Sequence, residues 1–268
     1  FARERELFGL GSDQVIEASL QATWRNMKRS IEESIKEPRR SMGGYIGGEA
    51  KTVLEAMSKG KLLNDPFLNK AMAYAMAVSE QNASMGLIVA APTAGGAGVL
   101  PGCLLAYQEM NPETTDEAMM RALLVSAAIG FLINLRSSLS GAQGGCQAET
   151  GAGAAMAAAA LVYLEGGKPE TCFEAAGFCL TNLLGLVCDP LGGLVEVPCQ
   201  LRNAGGAAIA LSSTSLALAG LHHAIPFDEI TEAHKQVGMA MPETLRETAR
   251  GGLASTPTAH KCGGTCPY

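Results

Sequence analysis

Alternation of apolar and polar residues with β-branched side chains, the pattern a half-buried strand needs, is nearly absent over any run of four or more residues. What the chain has instead are long runs of small and apolar residues, Ala122–Ile133 and Gly151–Leu164 above all. Residues 62–217 carry only 5 basic and 12 acidic side chains, so much of this middle is expected to be buried. Aromatic residues make up 5% of the sequence while glycine alone contributes 32 residues. Such a core cannot be filled by large wedges, and small residues must let helix backbones come close. The expectation is one all-α, multi-helix domain over residues 1–258, with central apolar helices, a glycine-rich loop and a C-terminal tail at 259–268.

Capping and breaking residues place the helices. Ser12 or Asp13 caps a helix to about Glu37, stopped by Pro38. The stretch 42–48, MGGYIGG, reads as a flexible turn, and a helix follows from Glu49 to about Ser58. Asp65-Pro66 supplies a cap and a first-turn proline for a helix from Phe67 to Ser79. Thr114 or Thr115 caps the next, to about Leu135. Further helices are expected over Cys146–Leu164, Pro169–Leu184, Gln200–Gly220 and Phe227–Leu245. Ile88–Ala91 is too short for more than a buried extended piece, and residues 93–98, TAGGAG, form a loop whose backbone can approach a ligand. That loop has neither the lysine of a phosphate loop nor the strand–helix setting of a dinucleotide site.

A formal net charge of −6 argues against a general affinity for nucleic acid or an anionic membrane. The most apolar runs fall short of the roughly 20 residues a membrane helix needs. Gly86–Tyr107 is longer, but Pro92 and Pro101 interrupt it. The opening residues do not read as a secretory leader, and Phe1 is not an initiator, so the chain reads as a fragment or a processed form with a cytoplasmic setting. Eight cysteines in such a setting suggest buried thiols and metal ligands more than disulfides.

Three cysteines stand apart. Cys146 in GGCQAETGAG, Cys188 in GLVCDPLGG and Cys199 in VEVPCQLRNAG each occupy a helix start or a Gly/Pro loop, where unpaired backbone N–H groups favour a thiolate. Pro190 and Pro198 stiffen two of the approaches, and Gly144, Gly145, Gly192 and Gly193 leave room for a bulky inorganic group. Spacings of 42 and 11 residues match neither compact ferredoxin runs nor a zinc finger, so an iron–sulfur cluster, zinc and buried structural thiols all stay open. Cys103, Cys172 and Cys179 lie in apolar helical surroundings and read as core.

The segments NASMGLIVAAPTAGGAGVLPG, GAQGGCQAETGAGAAMAAAAL, NLLGLVCDPLGGLVEVPCQLRNA and RETARGGLA resemble the α domain, or α chain, of the bacterial iron–sulfur L-serine dehydratases. The resemblance implies a catalytic [4Fe–4S] cluster on Cys146, Cys188 and Cys199, with Cys266 in the tail a candidate displaceable fourth ligand and Cys262 behind it. It implies no PLP, and Lys51, Lys70, Lys168 and Lys235 show no Schiff-base neighbourhood. It also implies L-serine as substrate, a β domain or β chain as partner, and assembly into an oligomer. Catalytic candidates are Asn82, Thr93 and Glu149. Ser84, Gly95, Gly96, Gly98, Arg202 and Asn203 are the substrate-binding candidates. The general base is expected on the β part; His222, His223, His234 and His260 are the candidates in this chain, with His222-His223 read as a helix end, and Arg246 and Arg250 read as surface residues. Two alternatives remain: an iron–sulfur lyase that removes sulfide from L-cysteine, and a non-catalytic helical partner with structural or zinc-binding cysteines.

Overall fold

A computed structural model describes residues 13–261. Among these residues the regular structure is helical: α1 (Asp13–Lys36), α2 (Glu49–Ser58), α3 (Pro66–Ala83), α4 (Val99–Met110), α5 (Asp116–Arg136), α6 (Gly141–Gly144), α7 (Ala152–Leu164), α8 (Pro169–Leu183), α9 (Cys199–Leu218), α10 (Phe227–Ala240) and α11 (Pro257–Lys261). Extended pairing among them is limited to a single parallel bridge between Cys188 and Arg246. The all-α expectation holds.

The caps work as their chemistry dictates. Asp65 Oδ1 accepts the Leu68 N–H at 3.0 Å with Pro66 in the first turn of α3, and Thr115 Oγ1 accepts the Ala118 N–H at 3.2 Å at the start of α5. The same end of α5 is tied to α1, since Asp116 accepts from Trp24 Nε1 at 2.9 Å and Lys28 Nζ at 2.9 Å.

Helix α7 is the centre. Residues Ala152–Val162 are all buried, and α4, α5, α8 and α9 pack around them. A helix apolar on every side has no solvent face to orient it, so its neighbours must enclose it. Each buried methylene-sized group contributes only about 0.8 kcal/mol, so an alanine-rich helix is stabilised by many close contacts rather than a few large ones. The packing of α4 on α3 is as close: a β-carbon at Gly98, just before α4, would run into the Ala75 carbonyl of α3.

Several elements differ from the sequence expectation. Helix α3 runs on to Ala83, since Ser79 through Ala83 have nothing to break them. Pro242 ends α10 early, at Ala240 with Met241 as its cap, and a separate 3-10 turn follows at Glu243–Leu245. Ile88 and Val89 are half-buried and Ala90 is exposed, not a buried strand. Helix α5, at 21 residues, is long and apolar enough by composition to cross a membrane; in the fold it buries Met119, Ala122, Leu123, Ile129 and Ile133 and packs on α1, α7 and α10.

Candidate metal and substrate site

Cys146 lies between the short α6 and a π-helical turn, Gln147–Gly151, that leads into α7. The sequence reading expected ordinary α-helix from Cys146 onward. A π turn inserts a residue into the helical ladder and is common at functional sites. Gln147, fully buried, fixes it: its Nε2 donates to the His234 carbonyl at 2.8 Å, its Oε1 accepts the Gly185 N–H at 2.8 Å, and its own N–H bonds the Leu186 carbonyl at 2.9 Å.

Cys188 is held by the RETARGGLA segment. Its N–H donates to the Leu245 carbonyl at 2.8 Å, and its carbonyl accepts the Glu247 N–H at 2.7 Å. The adjacent Asp189, 3% exposed, accepts the Leu253 N–H at 2.7 Å. Arg246 is itself the bridge partner of Cys188, and Arg250 lies four residues on. Arg246 donates to the Gln143 carbonyl at 3.3 Å, and Arg250 pairs with Glu243 on the surface.

Cys199 is the first residue of α9. Three residues earlier, the buried Glu196 accepts from Ser41 Oγ at 2.5 Å, the Gly43 N–H at 2.7 Å and the Tyr45 N–H at 3.2 Å. The glycine-rich 42–48 stretch, expected to be a flexible turn, is thus docked onto the chain entering α9.

The ligand atoms of Cys146, Cys188 and Glu149 all lie within 4.8 Å of one another, and all three residues are buried. The Cys188 thiol faces Glu149 Oε2 at 3.9 Å and also the Cys146 sulfur, so its one proton lies between two acceptors. That bond, helped by the Arg202 guanidinium and opposed by burial, holds Cys146 below the usual thiol range and pushes Cys188 up. Cys199 is pushed up to about 12, first by burial and then by the charge at Cys146 and Glu149. Burial is also the main reason the Glu149 carboxyl is raised, against the Thr93 hydrogen bond that lowers it.

Glu149 sits in a cradle of small residues. Thr93 Oγ1 donates to its Oε1 at 2.6 Å, a β-carbon at Gly95 would stand 2.9 Å from the same oxygen, and one at Gly141 would collide with Oε2. A β-carbon at Gly96 would lie 2.8 Å from the Glu149 carbonyl. Asn203, 1% exposed, holds this loop. Its Nδ2 donates to the Gly95 carbonyl at 2.7 Å and the Cys199 carbonyl at 2.8 Å, while its Oδ1 accepts the Gly98 N–H at 2.9 Å. Asn203 is thereby committed to scaffolding. Arg202 is also engaged: Nη1 donates to the Val187 carbonyl at 2.8 Å and faces Cys146 Sγ at 3.5 Å. Its Nη2 lies 2.8 Å from Asp189 Oδ1, an ion pair whose angle misses that of a hydrogen bond.

A cavity of about 480 Å³ opens over Glu149, lined also by Thr93, Gly95, Ser138, Ser140, Gly141, Gln143 and Glu247. Asn82 and Ser84, at the end of α3, are outside this lining; Ser84 Oγ donates to the Gln81 carbonyl at 3.2 Å. The described histidines are outside it too. His234 is buried against Ser137 Oγ at 2.8 Å beside a separate cavity, His222 and His223 contact Glu174, and His260 is exposed. Cys262 and Cys266 lie outside the described residues.

The other three cysteines sit in the core, as expected. Each points its thiol at a helix carbonyl: Cys103 at Ala207, Cys172 at Ala159 and Cys179 at Ile209. Sequence reasoning missed Asp189, Glu196 and Glu247. The first two could have been found, as buried acids adjacent to the cysteine loops. Glu247 had no local signal, because only the bridge to Cys188 brings it in.

Two sulfurs and a carboxylate gathered in a buried pocket, with the buried Cys199 thiol near enough to feel their charge but outside that closest group, fit a thiophilic cation. Comparison with known proteins gives the family. A chain from Bacillus subtilis (strain 168), "Probable L-serine dehydratase, alpha chain", is 49% identical over 222 residues, covering 82% of this chain and 73% of that one. The "L-serine dehydratase, alpha chain" of Peptoniphilus asaccharolyticus is 49% identical over 217 residues, covering 81% and 74%. The longer "L-serine dehydratase" of Streptomyces coelicolor is 36% identical over 258 residues, covering 94% of this chain and 55% of that protein. The family model described as "Serine dehydratase alpha chain" matches residues 2–254, and the chain belongs to that family.

Proposed function

We propose that this chain is the cluster-binding part of an L-serine ammonia-lyase, working in the cytoplasm with a β domain or β chain and yielding pyruvate and ammonia. The observation that carries the reading is the meeting of the Cys188 thiol with the Cys146 and Glu149 ligand atoms of a segment 39 residues away, with Glu149 itself lining an open cavity. In this reading Cys146, Cys188 and Cys199 hold a [4Fe–4S] cluster, and the reaction needs no PLP. When bound, a cluster with three protein thiolates supplies an iron with an open position, a Lewis acid for a substrate oxygen.

The chain's own residues do the rest. Arg202 counters the negative charge of the sulfurs, and Asp189 orients it. The loop 93–98, braced by Asn203, presents Thr93, which fixes the Glu149 carboxyl toward the cavity. Glu149 contacts the substrate amine, so that the serine is held with its β-hydroxyl toward the sulfurs. Loss of the α-proton and departure of hydroxide give aminoacrylate, which tautomerises and hydrolyses to pyruvate and ammonia. The proton acceptor is sought on the β part; the described histidines are outside the cavity lining.

The test is anaerobic purification followed by iron and sulfide analysis and a pyruvate assay with the β partner supplied. About four iron and four sulfide per chain are expected, with pyruvate formed from L-serine. Cys188→Ser should lose iron and activity together, while Cys172→Ser keeps both. A colourless anaerobic preparation carrying stoichiometric zinc would refute the reading.

A further inference from the structure

Glu247 has a place in the site that its sequence surroundings do not announce. Its φ is +66°, a left-handed conformation that residues with a β-carbon adopt at a cost. The chain leading into it is nevertheless fixed, through the Glu247 N–H on the Cys188 carbonyl at 2.7 Å and the Cys188 N–H on the Leu245 carbonyl at 2.8 Å. From this anchored position Glu247 lines the cavity over Glu149.

The charge balance of that cavity is one-sided. Its lining holds Glu149 and Glu247 and, among the described residues, no Lys, Arg or His. Arg202 is outside the lining, turned to Asp189, the Val187 carbonyl and Cys146. That the cavity takes substrate rests on the proposed function and on the ligand atoms behind it. The two carboxylates bear on which substrates it takes. A cation with N–H donors is matched there, and an uncharged or anionic group in its place is not.

We propose that Glu247 is a specificity-determining residue which, with Glu149, receives the α-ammonium of the substrate and sets the cavity for amino acids over hydroxy acids that lack nitrogen. The inference rests on the lyase reading for the identity of the reaction but makes a separate claim about recognition.

The test uses the cluster-loaded enzyme with its β partner and the variants Glu247→Gln and Glu247→Gly. Glutamine keeps the size and the strained φ; glycine removes the strain along with the carboxylate, which separates charge from backbone. Both variants should lower kcat/KM for L-serine by about tenfold, the scale of one charge-assisted hydrogen bond. The inhibition constant of 3-hydroxypropanoate, which keeps the carboxylate and hydroxyl and lacks the amine, should stay within about twofold, and iron content should be unchanged. Calorimetry with L-alanine and propanoate, which have no leaving group, should show a wild-type preference for the amine that both variants lose. Equal losses for amine and amine-free ligands, or no loss, would overturn the role of Glu247. Wild type that prefers L-alanine through Glu247 yet makes no pyruvate from L-serine would refute the lyase reading and leave this inference standing.

Discussion

Replacing Asn203 by alanine tests how the glycine-rich loop is held. The side chain is 1% exposed and makes three hydrogen bonds, to the Gly95 and Cys199 carbonyls and from the Gly98 N–H. The Cys199 carbonyl lies in the first turn of α9 and keeps the helix's own i+4 donor. The Gly98 N–H and the Gly95 carbonyl would lose their Asn203 partner inside the protein, at about 1–3 kcal/mol each. The expected loss is therefore about 4 kcal/mol, a large share of a typical total stability. For a chain of this size that lowers Tm by roughly 8–16 °C. Urea and thermal unfolding followed by circular dichroism measure it directly. Asn203→Asp sharpens the test, since one oxygen can still accept from Gly98 while the other meets two carbonyls lone pair to lone pair. At neutral pH it should be no more stable than Asn203→Ala. If Asn203→Ala stays within about 1 kcal/mol of wild type, the loop is held by something else and the argument for Asn203 as its brace fails.

Gly98→Ala drives a β-carbon into the Ala75 carbonyl, backbone against backbone with no side chain to swing away, and should cost about 1–3 kcal/mol or more in urea unfolding. Gly205→Ala in α9, where nothing lies within 4 Å, should instead gain up to about 1 kcal/mol; equal effects at the two sites would refute the close-packing account. Asp116 gives the pH dependence. Although partial burial opposes it, bonds from Gln108, Lys28 and Trp24 hold its carboxyl down to about 2, from an ordinary value of 3.8. A depressed carboxyl contributes stability that is complete above its unfolded value and is lost as pH falls through the folded one. Asp116→Asn should thus be less stable than wild type at neutral pH, with the two converging between about pH 4 and pH 2; a gap that stays constant over that range would sink the assignment.

Elements with a local chemical cause were legible in the sequence. Asp65-Pro66 and Thr115 start helices because a side-chain oxygen and a first-turn proline act within four residues. The unbroken run of Ala152–Val162 gave the central helix because a segment with no polar face has to be enclosed. What escaped the sequence depends on contacts between distant segments. The π turn after Cys146 follows from Gln147 reaching α10 and the Gly185 turn, and nothing in QAETG announces it. The 42–48 stretch looked free because its anchor, Glu196, is about 150 residues away. Asn82 and Ser84 came with the resemblance of the segment NASMGLIVAAPTAGGAGVLPG; α3 runs to Ala83, and neither residue is in the cavity lining.

The charge arrangement explains why so much of the chain is spent on fixing backbone here. The Arg202 guanidinium sits beside Cys146 and Asp189 and acts on Cys199, and Cys146 in turn lies against Cys188 and Glu149. Two unit charges 4 Å apart in surroundings with an effective dielectric of about 20 interact by roughly 4 kcal/mol, so not all of these groups can be ionised together in the absence of a cation. The bond to Cys146, burial and the neighbouring charge push the Cys188 thiol up, and burial and the same charge push Cys199 up, which favours their protonated forms, while the Cys188 hydrogen bond and Arg202 push Cys146 down. A bound metal centre would displace those protons, so its uptake is tied to pH and its binding energy to the fold that keeps the ligands together. Left flexible, the three loops would relieve the repulsion by moving apart. Gln147, the Cys188–Arg246 bridge and the Glu196 clamp each oppose that separation at one cysteine.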